Sequence, residues 1–275
     1  MIMGYYVKAE SDVYIYVEDI NPAGQKTLLF IHGWPANHNL FEYQYNVLPQ
    51  KGYRCIGIDL RGFGQSSKPW DGYNYDRMSD DVRAVVDALK LDQIILCGHS
   101  TGGAIAVRYM ARHDGYGVAR LGLFAAAAPS LIQRPYFPYG LPMQAVLDII
   151  QQTSQSRPDM LRNFGNMIFN NYVTPDLSQW IFDMGLEAAN WATSAVANTW
   201  LGEEQLFDDL TKIQVPTLIL HGLEDKVCLF SLALAQKERI PNATLVPLES
   251  CGHFLFYDQM EKFNEALITF IEESL

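Results

Sequence analysis

This chain is short of basic residues, short of cysteine and without a long apolar run. Each shortage removes a class of function. Lysine and arginine number 20 against 31 aspartates and glutamates, a formal net charge of −11. Nucleic acid and anionic membrane are poor partners for such a surface. The acids are spread along the chain rather than gathered in a tail, so they serve solubility. Only 4 cysteines occur, Cys55, Cys97, Cys228 and Cys251, and none has metal-ligand spacing. No metal is expected. Cys55 and Cys97 sit inside apolar runs, the setting of buried free thiols. The N-terminal Met1-Ile2-Met3-Gly4-Tyr5-Tyr6 lacks both a basic region and a long apolar stretch. No signal peptide or membrane span is expected, and reduced cysteines fit a cytoplasmic protein. The sequon at Asn242 then carries no weight. Internal repeats and low-complexity segments are absent as well.

What is present is apolar and periodic. With 275 residues, 49% of them hydrophobic, one large α/β core is within reach. Strand-like runs occur at Val13–Val17, Thr27–Ile31, Tyr53–Ile58, Gln93–Cys97, Ala119–Phe124, Thr217–Leu220 and Thr244–Leu248. Short continuous apolar runs suit strands buried on both faces of a parallel sheet. Met78, Val82, Val85, Val86 and Leu89 make a helical stripe, and Met260, Phe263, Leu267, Phe270 and Ile271 make another. Strand and helix in alternation predict a doubly wound, mostly parallel α/β sheet. The rhythm breaks from about 130 to 206, where proline is followed by aromatic, helical sequence (Phe164, Phe169, Tyr172, Trp180, Phe182, Trp191, Trp200). That is too long for an ordinary connection. It reads as a helical cap over the carboxyl ends of the strands, with a core made of 1–129 and 207–275.

One pentapeptide proposes a reaction. Gly98-His99-Ser100-Thr101-Gly102 follows a strand-like run and precedes a buried helical one. Gly-x-Ser-x-Gly on a sharp strand-to-helix turn exposes a serine hydroxyl, and the flanking positions must be tiny. Serine needs a general base, and the base an orienting acid. Of the 6 histidines, His32 and His221 precede glycines at strand ends, and His113 ends the elbow helix. His99 lies inside the elbow and is expected to point away from the nucleophile. His253 remains, in a loop between the last strand-like run and the last helix. The acid should fall between serine and histidine in the chain. His221-Gly222-Leu223-Glu224-Asp225 offers two carboxylates, and Asp225 lies further into the loop; Glu224 stays as the alternative. Oxyanion donors are expected from the Thr101 N–H, at the start of the elbow helix, and from the Trp34 N–H, since Pro35 has none. Cys251 reads as a small wall residue.

With these residues the chain resembles the α/β-hydrolase family, and within it the arylesterase and cofactor-free haloperoxidase (perhydrolase) branch. The likeness runs through His32-Gly33-Trp34-Pro35, Phe41-Glu42-Tyr43-Gln44, Asp59 to Ser66, Gly98 to Gly103, Val215 to Asp225 and Gly252-His253. It implies Ser100 as nucleophile, His253 as base, Asp225 as its partner, Trp34 and Thr101 as oxyanion donors, and no cofactor. Asp59 to Ser66 would be a structural loop. His99 and Thr101 stand where the branch often has phenylalanine and methionine, and Cys228-Leu229 replaces a proline-containing segment. With Trp191 and Pro35, His99 is a candidate wall of the substrate pocket. Cleavage of small carboxylic or aryl esters is the first reading. Perhydrolysis of the same acyl-enzyme, which Trp-Pro accompanies in the branch, or lactone or lactam hydrolysis is the second. A ligand receptor on the same scaffold is a distant third. The partner is a small molecule, and self-association stays open.

Overall fold

Two strands of six residues are buried along their whole length, and they belong to the parallel part of the sheet. In the computed structural model, which describes residues 2–273, these are β5 (Ile94–His99) and β7 (Thr217–Gly222). The others are β1 (Ile2–Lys8), β2 (Tyr14–Ile20), β3 (Thr27–Ile31), β4 (Arg54–Ile58), β6 (Val118–Phe124) and β8 (Ala243–Leu248). They form one 8-stranded sheet in the order β1-β2-β4-β3-β5-β6-β7-β8. β1 and β2 are antiparallel to their neighbours, and every pairing from β4 to β8 is parallel. The doubly wound, mostly parallel sheet expected from the sequence is therefore present. All seven strand-like runs become strands, with ends shifted by a few residues. β1 was not anticipated. It is an edge strand with Gly4, Tyr6 and Lys8 exposed, Val7 buried and Tyr5 packed against the core, an alternation too short and too polar to stand out in the sequence. Its register against β2 holds it.

The helices are α1 (Glu42–Tyr45), α2 (Tyr75–Ala88), α3 (Thr101–Arg112), α4 (Met143–Gly165), α5 (Pro175–Glu187), α6 (Asn190–Gly202), α7 (Leu206–Thr211), α8 (Phe230–Arg239), α9 (Leu255–Asp258) and α10 (Met260–Glu272). Asn74 caps α2, its side chain accepting from Arg77 N at 2.9 Å. The stripe Met78, Val82, Val85 and Val86 is buried, while Leu89 closes the helix half-buried. In α10 the stripe buries Phe263, Leu267, Phe270 and Ile271, but Met260 is exposed at the helix start. The first residue of a helix sits beyond the packed stretch of its face. Cys55, Cys97, Cys228 and Cys251 are all buried free thiols.

Between β6 and β7 the chain leaves the sheet for α4, α5, α6 and α7. α4 is broken at Ser156 (φ −155°, ψ 84°), just before Pro158, whose ring cannot continue a helix unbroken. Polar bonds tie this excursion to the sheet's loops. Trp34 Nε1 donates to Thr193 O at 3.0 Å, Ala189 N to Gly62 O at 2.8 Å, and Phe254 N to Ile168 O at 2.9 Å. Arg108 on α3 is buried and reaches Asp209 at 2.5 Å, Glu203 at 2.7 Å and also Asp76. One guanidinium thus joins α2, α3 and the excursion.

Candidate active site

Parallel strands place their carboxyl ends on one edge, and that edge is where open α/β sheets bind ligands. β3 ends there in His32, Gly33 and Trp34, β5 in Ser100, β7 in the Asp225 loop and β8 in the His253 loop. Four stretches more than 200 residues apart at the extremes are so brought together by sheet topology.

Ser100 sits between β5 and α3 at φ 54°, ψ −121°, in the left-handed half of backbone space where non-glycine residues are strained. The turn is held by Ser100 N donating to Phe124 O at 3.0 Å and by Gly103, Ala104 and Ala127 N–H groups converging on Ser100 O. A Cβ on Gly98 would lie 2.4 Å from Gly102 O, and one on Gly102 would lie 2.3 Å from Ile31 O. Both contacts are with backbone, so neither position admits a side chain. Ser100 Oγ lies 4.0 Å from Cys228 Sγ and makes no hydrogen bond to His253.

Asp225 is buried and fully engaged. Its Oδ2 accepts from His253 Nδ1 at 2.8 Å, and its Oδ1 accepts from Val227 N at 2.8 Å and Cys228 N at 2.9 Å. Burial alone would raise its pKa. The interactions with His253 and then His221 outweigh that, and the carboxyl is held below the usual carboxylate range. His221 was read from sequence only as a strand end. Its Nε2 donates to Cys228 O at 2.6 Å and lies 3.4 Å from Asp225 Oδ2, so it braces the same loop. The four-residue spacing from His221 to Asp225 was the available signal. Glu224, the alternative acid, instead accepts from Cys251 N at 2.9 Å and fastens the two loops. With His253 Nδ1 donating its N–H to Asp225, the neutral ring has its lone pair on Nε2, and that atom is buried with no partner among the described residues.

The Trp34 and Thr101 amides have no hydrogen-bond acceptor among the described residues. Thr101 opens the twelve-residue α3, whose dipole favours negative charge at that end. The Trp34–Pro35 peptide is cis. Asp59 serves its own loop: it accepts from His38 N, His38 Nδ1 and Gln65 N at 2.7–2.8 Å.

Two small cavities meet at this edge. One, with about 30 Å³ open to the centre of a water-sized molecule, lies against Gly33, Pro35, His99, Ile181, Phe182 and His253. The other, with about 20 Å³, lies over Ser100 among Leu131, Ile149, Met167, Trp200 and Val227. Trp34 and Phe164, 5.1 Å apart and edge to face, line both. Pro35 and His99 line the first of these cavities. His99 does not turn away from the site. Its ring packs 4.7 Å from that of His253. Trp191 lines neither cavity: its indole donates to Pro69 O at 2.7 Å and stacks on Trp70. Cys251 is buried behind the His253 loop, and burial pushes its thiol pKa up.

The chain matches the family model described as alpha/beta hydrolase fold over residues 26–259. It is 46% identical over 270 residues to the AB hydrolase superfamily protein YisY of Bacillus subtilis (strain 168), covering 98% of this chain and 99% of that protein. It is 30% identical over 275 residues to the bifunctional esterase/perhydrolase DCH of Acinetobacter calcoaceticus, covering 97% of this chain and 99% of that one. Among solved structures, the esterase EaEST from Exiguobacterium antarcticum superposes with a TM-score of 0.95 at 40% identity, covering 98% of this chain and all of that one (100%). Among the described residues no helix is long and apolar enough to cross a membrane.

Proposed function

The chain belongs to the α/β-hydrolase fold family, and from that premise we propose that it is a serine hydrolase of small carboxylic esters, acting through an acyl-enzyme on Ser100. The observation that carries the reading is the Asp225–His253 bond, which leaves an unpartnered, buried Nε2 at a cavity beside a serine on a strained turn. Ester binding brings the carbonyl carbon to Ser100 Oγ. His253 Nε2 takes the serine proton as the C–O bond forms, and Asp225 stabilises the resulting imidazolium. The Trp34 and Thr101 amides receive the oxyanion; donors of this kind contribute ~3–4 kcal/mol each to the transition state. His253 returns the proton to the leaving alcohol, then activates water to release the acid. The apolar walls of both cavities favour alkyl and aryl groups on either side of the ester bond.

In this reading the segment 130–206 is a cap on a core of 1–129 and 207–275. It supplies Phe164, Phe182 and Trp200 to the cavity walls.

Peroxide attack on the same acyl-enzyme is a second reading. The relative named as a bifunctional esterase/perhydrolase favours it, together with Pro35 at the cavity wall. Peroxide would displace the serine ester to give a peracid, which oxidises halide in solution. The test is twofold. Ser100→Ala should abolish turnover of 4-nitrophenyl acetate and labelling by a fluorophosphonate; near-wild-type turnover would sink the assignment. Halide oxidation in peroxide and acetate separates the second reading from the first.

A further inference from the structure

His99, which lines the cavity beside His253, carries a buried hydrogen-bond acceptor with no partner among the described residues. Its Nε2 lies 3.0 Å from His253 O. A carbonyl only accepts, so Nε2 carries the proton and Nδ1 carries a lone pair. The side chain is buried, with 2% of its surface exposed, and Nδ1 has no partner among the described residues. Burial first, then the neighbouring His253 charge, hold its pKa well below the ordinary imidazole value, so the ring stays neutral and Nδ1 stays an acceptor. Nδ1 lies close against Gly33: a Cβ there would come within 2.6 Å of it, so only glycine fits beside the acceptor. A buried acceptor without a donor is costly, and natural sites rarely keep one idle.

An ordinary alkyl ester has no N–H or O–H to offer. The remaining walls of this cavity include Leu40, Leu161, Ile168, Ile181 and Phe182. An ammonium or primary amide would bring extra N–H groups with nothing in such walls to receive them. A hydroxyl brings one. Resting on the ester-hydrolase reading above, we propose that His99 is a specificity-determining residue: its Nδ1 accepts a hydrogen bond from a substrate hydroxyl, and hydroxylated carboxylic esters are the substrate class of this site.

The experiment compares kcat/KM within two matched pairs, because the ester can enter this cavity by either half. The pairs are 4-nitrophenyl 3-hydroxybutanoate against the butanoate, and 2-hydroxyethyl butanoate against propyl butanoate. Wild-type protein should favour the hydroxylated member of one pair by about tenfold, which is ~1.4 kcal/mol. His99→Phe should bring that ratio to about one, whatever it does to the absolute rates. Ratios near one in both wild-type pairs, or a preference that survives in His99→Phe, overturn the inference. Should the variant not fold, the 15N resonance of His99 Nδ1 in wild-type protein replaces it. It should shift on adding 3-hydroxybutanoate and not on adding butanoate; equal responses overturn the inference. Hydrolysis with flat ratios defeats only the role of His99, whereas no hydrolysis of any of the four esters defeats the ester-hydrolase reading and this inference with it.

Discussion

Asp225 Oδ2 lies 2.8 Å from His253 Nδ1, and this one contact decides which imidazole nitrogen faces the cavity. The carboxylate is itself fixed by the Val227 and Cys228 amides, so the imidazole is oriented by backbone rather than by a free side chain.

Asp225→Asn keeps the shape and loses the charge. An amide can donate to Nδ1 and so favour the wrong tautomer, as in other serine hydrolases where the equivalent change costs ~10⁴ in kcat. We expect a fall of about that size on 4-nitrophenyl acetate with KM little altered, measured by steady-state kinetics. A fall of less than about tenfold would remove Asp225 from the reaction.

Gly98→Ala should fail structurally rather than chemically. The added methyl meets Gly102 O at 2.4 Å, a backbone atom that cannot swing aside. A loss of ~3 kcal/mol or more is expected from overpacking at a strained turn, read as the shift in urea midpoint. Unchanged stability would show that the elbow has slack.

Arg108→Ala removes the cation shared by Asp76, Glu203 and Asp209, of which Asp209 is buried. Asp209 then keeps the exposed Lys212, 3.3 Å away, but loses its buried partner, and breaking such a pair costs up to about 3–5 kcal/mol. The double variant Arg108→Met/Asp209→Leu should recover much of that loss, and thermal unfolding of both variants checks it.

Acid should weaken the fold above the range where carboxylates titrate. His32 is buried and its pKa is lowered to about 4, chiefly by burial, against an ordinary 6.5. Its Nε2 accepts from Leu60 N at 3.0 Å, which requires the neutral ring. Between those two values the unfolded chain binds a proton that the native chain refuses. The stability His32 contributes is therefore whole above pH 6.5 and lost as pH falls to about 4, an amount of ~3 kcal/mol in order of magnitude. His99 acts in the same direction. His32→Gln should be less stable at pH 7 and show a shallower fall in urea midpoint from pH 6.5 to 4.5. An equal slope in both proteins would contradict this.

Much of this architecture was legible along the chain, for reasons that can be named. β5 and β7 announced themselves because strands buried on both faces must be apolar throughout. The elbow was legible because Gly98 and Gly102 are demanded by backbone contact, and such demands leave a mark at fixed spacing. Chain order and the strand-end position of each loop directed attention to Asp225 and His253. β1 was missed because an edge strand that turns only Tyr5 and Val7 inward leaves too short an apolar rhythm to detect.

Local sequence thus determined the strands, the strained serine turn and the short list of residues able to act with it. Only the tertiary structure decided which way side chains point. It turned His99 onto the ring of His253, sent Trp191 to Pro69 and Trp70, gave His221 to the Asp225 loop, and set Trp34 against Phe164 between two cavities. The reason is physical. Strand burial and glycine contacts repeat within a few residues, so they are written locally, whereas a cavity is bounded by side chains from segments that meet only after the sheet has formed.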